Sequence, residues 1–267
     1  SFLNPDLFRA ADIYVNTVNV AGLKLNRLRI QLTKNANSFL LGLSNADMQG
    51  QVTLPINDAK KTVQARFHRL YFSSQTGNQK GINPKTLPPI AFTGDDVRYG
   101  AANLGRVTFN LLPSAYGARV SQFVLDSSKF SLHASGDWQQ ARSHLQGDFT
   151  TPNLSEALKA WGFLLTSLVG SSANAHFDLT WPGAPYRPAI NGMSGQVSLK
   201  LDKGRIINLS SATNAKIDFG RMLNIFSLQS IPRRLSFDFS DLSTKGYNFD
   251  NVKGDFTVRN GSAYTEN

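Results

Sequence analysis

Residues 219–265 read FGRMLNIFSLQSIPRRLSFDFSDLSTKGYNFDNVKGDFTVRNGSAYT. A short amphipathic helix comes first, then a Pro232-Arg233-Arg234 step, then segments whose apolar residues alternate. Leu235, Phe237 and Phe239 take one side of an extended chain, and Ser236, Asp238 and Ser240 take the other. After a Lys245-Gly246 turn, Tyr247 and Phe249, then Phe256 and Val258, repeat the pattern. Successive side chains of a strand point to opposite faces, so period two over several segments predicts a sheet with one apolar and one wet face.

The same grammar runs through the rest of the chain. Val107, Phe109 and Leu111 alternate with Arg106, Thr108 and Asn110, while Ala175, Phe177, Leu179 and Trp181 alternate with His176, Asp178 and Thr180. Strand-like segments recur at 12–20, 23–32, 39–43, 49–55, 62–73, 106–112, 119–125, 129–138, 143–150, 175–181, 195–201 and 204–209. One-face-wet alternation fits antiparallel strands better than the continuous apolar runs of buried parallel ones. A turn at glycine followed by alternating residues occurs after Gly22, Gly117 and Gly246, which reads as a degenerate repeat of β-meanders.

Two short helices interrupt the strands. Near 153–168, Asn153 is placed to cap and Glu156 to complete a capping box, with Leu154, Leu158, Trp161 and Leu165 on one stripe. Near 218–228, Phe219, Met222 or Leu223, and Phe226 form an apolar face that ends before Pro232. The Gly- and Pro-rich stretch 76–89 reads as a loop and a boundary between halves. The expected fold is mainly β: a long, curved antiparallel sheet with an open groove and two small helices, its N-terminal portion at 1–103 and its C-terminal portion at 104–267.

Composition narrows the function. The 267 residues include no cysteine, so thiolate metal sites, disulfides and thiol nucleophiles are excluded. The net charge of +10 favours anionic partners, but the basic residues are scattered and read as a solvated surface. Aromatic and basic residues occupy opposite strand parities, which disfavours base stacking and hence nucleic acid. The longest apolar run, 161–170, falls far short of the ~20 residues that a membrane span needs. The abrupt first and last residues read as those of a piece of something longer, with any anchor elsewhere.

Chemistry-bearing motifs are missing. His68, His133, His144 and His176 form no His-Glu-x-x-His or His-x-His pattern, and each reads as an exposed strand histidine. No Gly-x-Ser-x-Gly elbow or phosphate-binding glycine loop occurs. Asp95 and Asp96 are adjacent, so on a strand they face opposite sides and in a turn they serve the backbone; Asp137, Asp148, Asp238 and Asp241 sit on wet faces or in hairpins. No catalytic residue, metal or cofactor is expected.

From residue 104 onward the order of elements resembles the C-terminal region of the YhdP-type, AsmA-like proteins of Gram-negative bacteria. The residues that carry the likeness are Leu104-Gly105-Arg106-Val107, Ser135-Gly136-Asp137-Trp138, the runs 154–163, 179–185 and 219–235, then Asp238–Asp241 and Lys245-Gly246-Tyr247. Residues 1–103 match only in general character, and the insertion at 76–89 departs from the pattern. The resemblance implies a periplasmic protein anchored in the inner membrane by a helix outside this chain. It implies a taco-shaped β-sheet whose apolar face carries phospholipid between inner and outer membrane, in contact with those membranes or their proteins. No catalytic residues come with it, and Arg233 and Arg234 match the pattern without an assigned role.

The alternation then supplies candidate lining residues for such a groove: Val107, Phe109 and Leu111; Phe177, Leu179 and Leu199; and Leu235, Phe237 and Phe239. The competing expectation is a non-transporting periplasmic β scaffold or envelope assembly factor whose apolar face is fully covered. An enzyme acting on envelope glycans ranks third, for want of a convergent acid and base.

Overall fold

A computed structural model describes residues 9–20, 23–56, 58, 60–72, 82–139, 141–162, 168–186, 188–206 and 247–265. The second helix expected near 218–228, Arg233-Arg234 and the alternating segment from Leu235 to Phe239 lie outside these residues. The chain divides into two compact units, residues 1–126 and 127–267.

Unit 1 is an open sheet whose strands lie side by side in chain order. They are β1 (Ala10–Val20), β2 (Leu23–Lys34), β3 (Ser38–Ser44), β4 (Met48–Pro55), β5 (Val63–Phe72), β6 (Ile90–Tyr99), β7 (Ala102–Ser114) and β8 (Gly117–Asp126). Neighbours are antiparallel except β5 and β6, which run parallel. A parallel pair cannot be closed by a tight turn; it needs a long connection, and residues 73–89 separate β5 from β6. That connection ends in a 3-10 turn, Pro84–Thr86, capped by Asn83, whose side chain accepts from the Lys85 N–H.

The meander is not perfectly regular. Register slips between β4 and β5 at Gln49/Gly50 and between β6 and β7 around Gly94 and Val97. In β2, Arg27 adopts φ 49°, and in β7, Gly105 adopts φ 70°. Such bulges bend strands and change the spacing of same-face residues from two to three, as at Phe67 and Leu70 or Gly94 and Val97. Around this level Leu28, Met48 and Phe67 are buried as a core, with Leu25, Ile30, Leu43, Leu70 and Phe92 packed on it.

Unit 2 contains β9 (Ser131–Gln139), β10 (Arg142–Thr151), the helix α1 (Leu154–Ala160), β11 (Leu168–Val169), β12 (Ser172–Pro182), β13 (Ser194–Ile206), β14 (Tyr247–Arg259) and β15 (Ser262–Thr265). Its order is β9-β10-β12-β13-β14-β15, antiparallel throughout, with β11 beside the end of β13. The segments expected separately at 195–201 and from 204 onward are one strand, kinked at Lys203 where φ is 45°. The Asn153 side chain accepts from the Glu156 N–H at 3.2 Å, so half of the expected capping box forms. The Glu156 carboxylate turns instead to Lys129 Nζ at 3.2 Å.

Candidate functional site

Register converts alternation along each strand into rows across the sheets. In unit 1, Ala11, Leu32, Leu41, Val52, Ala65, Phe92, Phe109 and Phe123 are successive cross-strand partners from β1 to β8. The next row is Ile13, Ile30, Leu43, Gly50, Phe67, Gly94, Val107 and Leu125. No polar side chain interrupts either row. In unit 2 the corresponding rows are Leu132, Phe149, Ala175, Leu199 and Gly254, then Ala134, Gly147, Phe177, Val197 and Phe256. Each unit therefore presents a continuous apolar face.

These faces are not uniformly accessible. In unit 1 the 3-10 turn packs against β7 and β8, and Pro84, Leu111 and Val120 are all fully buried. Phe109 stays half-buried, its ring edge-on to Phe123 with centroids 6.2 Å apart. In unit 2, α1 brings Trp161 within 4.9 Å of Phe130 and 5.2 Å of Phe149, centroid to centroid. Ala157 is buried in this seat, and the Trp161 Nε1 is buried with no hydrogen-bond partner among the described residues. At the far end of β9 and β12, Trp181 Nε1 donates to the Ala184 carbonyl at 3.1 Å, and Tyr186 meets Trp138 edge-on at 5.8 Å. Between these ends Phe177, Leu179, Val197 and Leu199 are half-buried.

The opposite faces hold the charges. His176 Nδ1 lies 2.8 Å from Asp148 Oδ1, His144 Nε2 lies 2.9 Å from Asp178 Oδ1, and His68 Nδ1 lies 3.3 Å from Asp95 Oδ2. His133 is exposed. Asp95 also meets Arg106 at 3.2 Å, whereas Asp96 accepts from Tyr71, so the adjacent pair diverges. That hydrogen bond holds the Tyr71 phenol above its ordinary range. Asp202 lies below the usual carboxylate range because Lys200 and then Asn251 donate to it. A shallow depression of about 500 Å³ lies on this polar side of unit 2, between the rows of His176 and Lys200. Among the described residues no three His, Cys, Asp or Glu side chains gather as a metal site.

The lining residues expected from the sequence fall as follows. Val107, Phe109 and Leu111 occupy three consecutive rows on the apolar face of unit 1. Val107 and Leu111 are buried, at 6% and 1% exposure, while Phe109 keeps accessible surface. Phe177, Leu179 and Leu199 share the apolar face of unit 2, and all three are half-buried. Leu235, Phe237 and Phe239 lie outside the described residues. Sequence reasoning missed Ile90 and Phe92, the contribution of β6 to the same face. Their signal was Ile90-Ala91-Phe92-Thr93-Gly94, an alternation cut short by the bulge at Asp95-Asp96.

A family model described as YhdP protein matches residues 3–267 of this chain. The chain is also 22% identical over 258 residues to the intermembrane phospholipid transporter YhdP of Escherichia coli (strain K12). That alignment covers 90% of this chain and 20% of the relative, so the chain spans about one fifth of the relative's length. No solved structure matches the chain.

Proposed function

The chain belongs to the YhdP family, and from that premise we propose that it is a segment of a periplasm-spanning lipid-transport protein. Its apolar faces shield phospholipid acyl chains on their way between the inner and outer membranes. The role is non-enzymatic, and the protein is anchored in the inner membrane by a helix outside this chain. Its partners are phospholipid and the two membrane surfaces or their proteins.

The observation that carries this reading is the uninterrupted apolar row eight strands wide in unit 1, matched by five-strand rows in unit 2. A tail of about 16 carbons left in water costs on the order of 10 kcal/mol. A hydrocarbon-like track lowers that barrier without binding tightly, because bilayer and track solvate the tail alike. Movement along such a track requires no reacting group, only unbroken apolar contact. The relative's name, a phospholipid transporter, points to the same cargo.

In this reading Phe109, Phe177, Leu179 and Leu199 touch the acyl chains, while Val107 and Leu111 form the floor beneath them. The test is to place Asp at Phe177 and Leu179 together in the intact protein and follow phospholipid exchange between membranes. A pair of carboxylates on the track is expected to slow transfer by roughly tenfold or more, because each must be desolvated as a tail passes. Both positions retain solvent contact, so the protein should still accumulate and fold. Transfer at the unmodified rate would favour the scaffold reading.

A further inference from the structure

Several glycines of the sheets sit beneath phenylalanine rings. A Cβ at Gly50 would lie 2.4 Å from Phe67 Cδ1, and one at Gly204 would lie 2.5 Å from Phe249 Cζ. A Cβ at Gly94 would lie 3.2 Å from Phe92 Cζ, and one at Gly254 would lie 2.8 Å from Phe256 Cζ. The first two are cross-strand partners; in the other two the ring leans along its own strand over a glycine two residues away. The arrangement occurs in both units.

A ring on a sheet face either stands up from the surface or lies across a neighbour. It can lie down only where that neighbour has no Cβ, which makes glycine the one residue compatible with the recumbent ring. We infer that Gly254 sets the depth of the apolar track in unit 2, because it lets Phe256 lie along the floor instead of standing in the space an acyl chain would take. This inference rests on the conduit reading and deepens it: this glycine determines which hydrocarbon cross-section fits.

Gly254 is the position to test because a methyl group there meets one flexible side chain only. At Gly94 the nearest atom is Val97 Cγ2, 2.5 Å away on a buried β-branched side chain, whereas at Gly254 the three nearest atoms are all in the Phe256 ring. A flexible side chain can swing away, so folding survives and the ring rises. At Gly50 the added carbon would also strike the Arg66 carbonyl at 2.5 Å, which confounds shape with strain. Gly42 provides the control: a Cβ there meets only Gln31 atoms, at 3.6 Å and beyond, on the polar side.

The experiment loads the intact protein with nitrobenzoxadiazole-labelled phosphatidylethanolamine from vesicles and measures bound lipid. Gly254→Ala should lower loading by about tenfold, the equivalent of two methylenes losing their cover. Its melting temperature should stay unchanged, and Gly42→Ala should load normally. Adding Phe256→Leu to Gly254→Ala should restore loading, because the obstructing ring is gone. Normal loading of a stably folded Gly254→Ala variant overturns the inference, as does a defect that Phe256→Leu does not relieve. Should Gly254→Ala melt early, loading is read well below its transition, with the same outcomes. An unmodified protein that takes up no labelled lipid overturns the conduit reading itself.

Discussion

Asp12 on β1 and Arg29 on β2 meet diagonally on the wet side, with Arg29 Nη2 at 2.5 Å from Asp12 Oδ2. The guanidinium, helped by Gln31, holds the Asp12 carboxyl below its ordinary range. A depressed carboxyl pKa contributes stability above the unfolded-state value of about 3.9, and that contribution is lost as pH falls through the lower folded value. Both side chains are about half exposed, so the pair weighs little at neutral pH. Asp12→Asn is therefore expected to leave the melting temperature at pH 7 nearly unchanged. Below about pH 4 it should flatten the loss of stability relative to the unmodified protein. A melting series between pH 3 and pH 7 reads both; a steeper acid loss in the variant would contradict the pairing. Residues of this kind were legible in the sequence only as wet parity. That Asp12 finds Arg29 and His176 finds Asp148 depends on register, which local alternation does not fix.

At the scale of elements, α1 is seven residues long and could not persist alone. It is held by the Asn153 cap at one end and by Trp161 seated on Phe130 and Phe149 at the other. Replacing Asn153 by Ala removes an acceptor from the Glu156 amide and should cost about 1 kcal/mol, read as roughly fivefold faster hydrogen exchange in the α1 amides. Unchanged exchange would mean that the aromatic seat alone holds the helix. The cap was readable because a side-chain acceptor three residues before an amide is a local event. The carboxylate half of the box was not, because Lys129, 27 residues away in sequence, claims Glu156. Strand β6 was hidden for a related reason: its bulge shifts the apolar spacing from two to three, and Asp95-Asp96 then reads as a turn. The parallel pairing of β5 and β6 was likewise invisible, since the two segments alternate as antiparallel strands do.

For the molecule as a whole, alternation repeated from strand to strand specified an open, mainly β architecture, and the register within each unit aligns apolar residues in rows. What alternation could not distinguish was which positions stay accessible. Val107 and Leu111 carry the same pattern as Phe109, yet both are buried. Accessibility depends on what packs above a row, and the 3-10 turn beside β7 and β8 comes from a distant part of the sequence. In the conduit reading, acyl chains touch the half-buried apolar positions and not the opposite face. The most direct measurement places a photo-crosslinking amino acid at Phe109 or Phe177, and in parallel at the polar-face positions Gln122 or Ser198, in the intact protein within living cells. Adducts are then read by mass. Phospholipid adducts at Phe109 and Phe177, with none at Gln122 and Ser198, are the expected result. Adducts absent from the apolar positions, or equally abundant on both faces, would contradict it.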